Sequence, residues 1–429
     1  MHSSFCLNIH GKGNTFNGRK WNDLNRFKVF NDPIHGFISI ESALIFKLIE
    51  HPWFQRLRRI KQLGLTDYVY PGANHTRFHH AIGAYHIMRQ ALWTLRRKGH
   101  EISKQEEEAA LIAILLHDMG HGPFSHTLEK CLIPEVNHER ITILFMERLN
   151  AQFNGKLDLA LDIFHDRYPR RFLHDLVSSQ LDMDRLDYLS RDSFFTGVNE
   201  GNVNHARIID MIDVLDDHIV VEAKGIHSIE KFLQSRRFMY WQVYLHKTVV
   251  CAESMLVKIM ERALELHKEM GKLTASPVLQ FFFDNRVDVD RFLRDDAILD
   301  TFAKLDDYDI FSAVKEWINH EDAVLSYLCR CLIDRKLFKI EVFDEAVGFD
   351  LDLKRQEVAE ALHTHKDAFK HAVYTFAMSH SLYDKNQTRI KILYKNGKVR
   401  EISEASEQWD EKSWLKNTTK YYLCTPKLG

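Results

Sequence analysis

Glycine and proline are scarce, at 18 and 8 in 429 residues, roughly half of average usage. That shortage excludes collagen-like and low-complexity chains and argues against a turn-dense all-β fold. The six cysteines, Cys6, Cys131, Cys251, Cys329, Cys331 and Cys424, contain no C-x-x-C pair. They are too few for a disulfide scaffold, and a cytoplasmic, reducing location is expected. No uninterrupted apolar run reaches the roughly 18 residues that a membrane span needs, and the first residues lack the pattern of a signal peptide. Charge of one sign is also missing: 58 Lys and Arg face 60 Asp and Glu. A near-neutral chain has no general attraction for nucleic acid or anionic membrane, so any phosphate site must be local. Histidine is plentiful instead, with 25 copies.

Apolar periodicity organises most of the chain into helices. Residues 1 to about 25 read as an N-terminal arm with little periodicity. A hairpin is expected over residues 28–40 around Asn31-Asp32-Pro33 and Gly36, followed by a helix from the Ser42 cap to Glu50. Helical spacing then marks 52–63, 79–97, 106–119, 139–150, 173–192, 229–268 and 350–380, with a short Val/Ile patch at 218–223. Asn396-Gly397 between alternating runs predicts a second hairpin near 389–402. The expected class is mainly α, with small antiparallel β elements and a C-terminal α+β lobe over 271–429.

The densest chemistry is His117-Asp-Met-Gly-His-Gly-Pro-Phe-Ser-His126, at the end of the apolar helix EEAALIAILL. Imidazoles and a carboxylate projecting from a buried helix are costly without partners. A metal on His117 and Asp118 needs further ligands, and His75, His79, His80 and His86 lie upstream. Of these, His80 shares the stripe of Ala84, Ile87, Ala91 and Leu95, so it caps a buried face. His79 lies with Gly83, His86 and Gln90 on a more polar face, where solvation is expected. Downstream, Asp184, Tyr188 and Asp192 share a face at i, i+4, i+8, while Asp187 and Arg191 read as a surface ion pair. Two His and two Asp suit Fe, Mn, Zn or Mg, with positions left for water and a phosphate oxygen.

The order His80, His117-Asp118, Asp184 resembles the H…HD…D signature of HD-domain phosphohydrolases. The flanking text is closer still. Asn31-Asp-Pro-Ile-His-Gly36, Phe54-Gln-Arg-Leu-Arg-Arg-Ile-Lys-Gln-Leu-Gly64, Tyr70-Pro-Gly-Ala-Asn-His-Thr-Arg-Phe-His-His80 and Asp182-Met-Asp-Arg-Leu-Asp-Tyr188 are similar to the deoxynucleoside-triphosphate (dNTP) triphosphohydrolases. That family has bacterial members and vertebrate members with a sterile alpha motif, and the likeness runs from about Lys28 to Lys247. It implies an HD core over 26–270, a divalent metal on His80, His117, Asp118 and Asp184, and water attack on the α-phosphate.

The resemblance also implies roles for single residues. Arg77 would contact the α-phosphate region, and Arg185 and Arg236 the triphosphate; Arg185 stands where Lys is usual. His126 would be the general acid, oriented by Glu129 where the family more often has Asp, and His121 and His138 would face phosphate. Tyr188 and Asp192 would read the sugar 3′-hydroxyl, Tyr244 would pack under C2′, and Gln62 and Leu63 would form the floor under sugar and base. Leu245 replaces a family glutamine near the base. Lys28, Glu50, Gln55 and Arg58 match a guanine-nucleotide effector site between subunits, with self-association as a dimer or tetramer. Two other functions fit the same residues: hydrolysis of another phosphoester (a nucleoside monophosphate, an alarmone or a cyclic dinucleotide), or a nucleotide-binding assembly module with vestigial activity.

Overall fold

The computed structural model describes residues 28–132, 136–271, 273–285, 287–348, 350–361, 370–380, 388–407 and 418–427. The expected N-terminal arm lies outside them. Strands β1 (Lys28–Asp32) and β2 (Gly36–Ile40) form the first hairpin, with Lys28 opposite Ile40. Asp32 Oδ1 accepts the Ile34 and His35 N–H groups, both at 2.9 Å, and Gly36 takes φ +71° to close the turn. Ser42 then caps the helix Ala43–Glu50 by accepting the Ile45 N–H at 3.2 Å.

The helix expected over 52–63 is instead one turn, Pro52–Gln55, followed by a 3₁₀ turn, Arg56–Arg59. Tertiary hydrogen bonds compete with helix continuation here. The fully buried Arg56 guanidinium donates to the carbonyls of Leu305 (2.9 Å) and His121 (2.7 Å), and the Lys61 N–H reaches Asp307 at 2.8 Å.

Three helices build the centre: Arg77–Arg97, Lys104–Leu116 and Met183–Thr196. Ser103 and Glu106 form a capping box that starts the second, and every residue from Ala109 to Leu116 is buried. The Arg77 helix starts with Thr76, whose N–H donates to His79 Nδ1 at 3.2 Å. His79 is therefore a half-buried helix-start residue rather than a solvated one.

Two other expected helices are interrupted. The one over 173–192 splits into Phe172–Val177 and Met183–Thr196 because Asp182 caps the second, accepting the Arg185 N–H at 2.8 Å and the Ser179 N–H at 2.9 Å. The one over 229–268 splits into Ile226–Met239, a π-helical turn Tyr240–Tyr244, and Lys247–Met270 with His246 as N-cap. Single π turns often mark functional sites.

Among the described residues of 350–380, Leu351–Ala361 is helical and Tyr374–His380 is strand β6. It pairs antiparallel with β9 (Thr418–Thr425), which also pairs with β5 (Lys339–Phe343). The alternation of Tyr374, Phe376 and Met378 is a period-2 signal hidden beside the helix preceding it. Strands β3 (Ile212–Leu215) and β4 (His218–Glu222) form a four-stranded sheet with the expected late hairpin, β7 (Lys391–Leu393) and β8 (Val399–Glu401). β4 and β7 are parallel, so the C-terminal part adds to a sheet begun in the first half. One apolar core extends from Ile38 to Cys424. Among the described residues no helix is long and apolar enough to cross a membrane.

Candidate metal centre and substrate cleft

His80 comes from the first turn of the Arg77 helix, His117 and Asp118 from the end of the Lys104 helix, and Asp184 from the first turn of the Met183 helix. Their donor atoms converge. His80 Nε2 lies 3.0 Å from Asp184 Oδ1, 3.3 Å from His117 Nε2 and 3.7 Å from Asp118 Oδ2. His117 Nε2 lies 3.4 Å from Asp118 Oδ1 and 3.5 Å from Asp184 Oδ1.

The outward nitrogens show what this cluster is built to hold. His117 Nδ1 donates to the Ile114 carbonyl at 2.6 Å, and His80 Nδ1 to Asp187 Oδ2 at 2.8 Å. With both rings neutral, each would turn an unprotonated Nε2 inward, towards the other and towards two carboxylates. Such convergence is repulsive without a positive charge among the lone pairs, and a carboxylate behind a histidine is the usual support of a metal ligand. The same field acts on protons. Burial lowers the His80 imidazole, but Asp184 and Asp187 outweigh it and push it up to about 10. The donor set thus fits a divalent cation.

Asp187 and Arg191, expected on the surface, are fully buried. Asp187 Oδ2 accepts from His80 and from Arg191 Nε (2.8 Å), and Oδ1 from His35 Nε2 (2.7 Å) and Arg191 Nη2 (3.0 Å). Arg191 continues to Asp32 at 2.8 Å, so the β1–β2 turn is wired to a proposed metal ligand. The approach is possible because residue 83 is glycine: a Cβ there would stand 2.0 Å from Asp187 Oδ1. Spacing alone could not place this pair, since i, i+4 partners occur equally on buried and exposed faces. His35 lies within a quoted motif, but its local surroundings give it no role.

A cleft with an empty volume of about 1160 Å³ opens beside the cluster, within the size of ligand sites when open solvent is allowed for. Gln62, Leu63, Arg77, His121, His126 and His138 line it. Tyr188, Asp192 and Tyr244 do so as well, with Leu245, Val249 and Glu253, and Met378 of β6 joins them from the C-terminal part.

Beside the cluster, Arg77 binds Asp118 and donates to Ser125 Oγ at 2.9 Å. Phe124 and Ser125 sit in the left-handed region at φ +52° and +54°, backbone strain of the kind found at functional sites. Asp307 holds this loop by accepting the Phe124 N–H at 2.7 Å. The His121 ring stacks on His138 with centroids 3.8 Å apart, and His121 Nε2 lies 3.3 Å from Asp118. Burial and Arg77 hold His121 well below the usual imidazole range. His126 is 67% exposed, with Nδ1 3.3 Å from Glu129 Oε2. Glu129 also accepts the His138 N–H at 2.7 Å.

On the opposite wall the Tyr244 hydroxyl donates to Asp192 Oδ2 at 2.8 Å, and His75 Nε2 meets Asp192 Oδ1 at 2.7 Å. His75 therefore serves Asp192 and not the metal cluster. Arg185 turns to Asp182 and the Ser179 carbonyl, and Arg236 donates to Gln180 at 3.1 Å; neither is among the lining residues of the cleft.

Away from the cleft, Arg58 donates to Gln55 at 2.8 Å and stacks 3.5 Å over Phe78. Gln55 reaches the Ile49 carbonyl at 2.7 Å, next to the exposed Glu50. Lys28 lies over Phe46. The four expected effector residues thus belong to one hairpin-and-helix region.

Residues 77–216 match the HD domain family and residues 203–280 its HD associated region. The chain is 34% identical to the uncharacterized protein YwfO of Bacillus subtilis, over 94% of this chain and 93% of that protein. It is 30% identical to the deoxynucleoside triphosphate triphosphohydrolase SAMHD1 of Homo sapiens over 56% of this chain, but spans only 45% of that protein's length. Its fold superposes on the crystal structure of a phosphohydrolase from Bacteroides thetaiotaomicron with a TM-score of 0.90 and 48% identity, covering 94% of this chain and all of that one. The likeness extends over that neighbour's full length, and every proposed metal ligand falls inside the matched HD segment. The chain therefore belongs to the HD-domain phosphohydrolases, a family of metal-dependent enzymes.

Proposed function

We propose that this enzyme hydrolyses dNTPs to deoxynucleoside and triphosphate. The observation that carries the reading is the wall of Tyr188, Asp192 and Tyr244 in the same cleft as the His/Asp cluster. Asp184, Tyr188 and Asp192 lie on one helix face, so a sugar hydroxyl at Asp192 places a 5′-phosphate towards Asp184. The relatives named as dNTP triphosphohydrolases support the substrate class.

His80, His117, Asp118 and Asp184 would hold the divalent metal, which could be Mn, Fe, Mg or Zn. Bound there, it supplies Lewis-acid polarisation of the α-phosphate and a place to orient water. The chain's own groups do the rest. Arg77, His121 and His138 take up negative charge that develops on the phosphate. His126 delivers a proton to the leaving 5′-oxygen, and Glu129, kept ionised by its histidine partners despite burial, orients that imidazole. Asp192, held by His75 and Tyr244, accepts the 3′-hydroxyl, and the Tyr244 ring disfavours a 2′-hydroxyl. Gln62 and Leu63 floor the sugar and base, and Arg185 and Arg236 must swing from their present partners to reach a triphosphate. Lys28, Glu50, Gln55 and Arg58 form the proposed guanine-nucleotide effector site in a homo-oligomer. Five described cysteines are unpaired, which supports a cytoplasmic location.

Incubating the protein with each dNTP and Mn²⁺ or Mg²⁺, with and without GTP, and resolving products tests this reading. Deoxynucleoside with intact triphosphate is expected. Monophosphate with pyrophosphate, or no product under any condition, refutes it.

A further inference from the structure

The histidines and acids described above line the cleft, and so do Leu245, just before the His246 N-cap, and Val249 and Glu253 of the Lys247 helix, beside Gln62, Leu63 and Gly64, of which Gln62 and Leu63 are the proposed floor under sugar and base. Glu253 Oε1 would lie only 2.7 Å from a Cβ on Gly64, whose φ of +50° and missing side chain leave room for the carboxyl. Its partners are the Thr127 hydroxyl and the Leu65 N–H, neither of them charged, and burial pushes the acid up to about 7. A tie between two loops does not need an acid; an amide of the same length could serve, without the cost of burying an ionisable group.

We propose that Glu253 reads the hydrogen-bonding edge of the nucleobase and sets the base preference of the cleft. The proposal rests on the dNTP reading above. A neutral carboxyl offers one donor and one acceptor, which complements the edge of adenine, cytosine or thymine. A carboxylate offers acceptors only, which complements the two adjacent donors of guanine, N1–H and N2–H. Both forms of Glu253 are populated around neutral pH, so guanine selectivity should rise with pH. Other titratable groups face the same cleft. They are Arg77, Asp118, Asp184 and the three histidines His121, His126 and His138, together with Asp192, Tyr188, Tyr240 and Tyr244. These act on phosphate, sugar or water, which all four substrates share, so a ratio between two bases cancels their titration.

The test is the ratio of kcat/KM for dGTP to that for dATP at pH 6 and pH 8, in the full-length metal-loaded enzyme and in Glu253→Gln. In the unmodified enzyme the ratio should rise by about fivefold or more across that range, the scale of one hydrogen-bond pair to a base. The amide, a fixed donor and acceptor, should flatten the ratio and lower it about tenfold at pH 8, with bound metal unchanged. A purely structural role would slow all four dNTPs alike and leave the ratio unmoved. A ratio independent of pH in the unmodified enzyme overturns the proposal, whether or not the variant folds. Hydrolysis of dNTPs with that flat ratio refutes the role of Glu253 alone, whereas no dNTP hydrolysis at all refutes the substrate reading and this proposal with it.

Discussion

Replacing Asp187 by Asn removes one charge from a buried network while keeping its shape. In the native chain both carboxylate oxygens are doubly used: Oδ2 by His80 and Arg191 Nε, Oδ1 by His35 and Arg191 Nη2. An amide has one acceptor, so its NH₂ must face two N–H donors. If the carbonyl stays with His80, the His35 ring can change tautomer and accept, but Arg191 Nη2 loses a partner. The loss of one charge-assisted bond costs about 1.5–3 kcal/mol. The upper range for a broken buried ion pair, about 5 kcal/mol, does not apply, because Asp32 still faces Arg191 at 2.8 Å. The functional effect is larger in kind. His80 loses the anion that fixes its tautomer and raises its basicity, which typically weakens metal binding by about 10–100-fold. Chelator competition with Mn²⁺ as the probe reads the affinity, and chemical denaturation reads the stability. An affinity within twofold of the native value would refute the claim that Asp187 acts through His80.

Three further outcomes follow from the same geometry. Asp184→Ala should abolish turnover and deplete bound metal while the circular dichroism spectrum is retained, because the side chain is 29% exposed and supports little packing; surviving turnover in metal-analysed protein would remove Asp184 from the ligand set. Gly83→Ala should lower stability and metal content together, since a Cβ 2.0 Å from Asp187 and 2.2 Å from Arg191 must push the Arg77 and Met183 helices apart; an unchanged melting temperature would contradict the close approach. The third concerns Glu253, raised from 4.5 to about 7 in the folded chain. A raised folded value favours folding most below the unfolded value, and that contribution is lost as pH rises through about 7. Glu253→Gln lacks this loss, so it should gain on the native protein as pH rises from about 4.5 to 7, by at most about 3 kcal/mol in all; parallel stability curves would refute the shift.

Much of the site was legible because its signals are local. Helix caps at Ser42, the buried Lys104 helix ending in His117 and Asp118, the stripe that turns His80 inward, and the shared face of Asp184, Tyr188 and Asp192 all follow from spacing within one element. The same logic misread 350–380, where a strand follows a helix, and ran through breaks at Asp182 and at Tyr240–Tyr244 that depend on caps and partners outside the periodic stripe.

By itself, then, the sequence determined the helical class, the order of the proposed metal ligands and the faces on which they stand, because 3.6-residue periodicity and capping act over a few residues. Only the tertiary structure decided that Asp187 and Arg191 are buried behind His80, that His75 serves Asp192, and that Glu253, Asp307 and Met378 belong to the cleft or its supports. Burial and hydrogen-bond partners are set by residues up to 250 or so positions away, as when Asp307 holds Lys61 across the fold. No local pattern records which of two chemically equal faces will meet another helix.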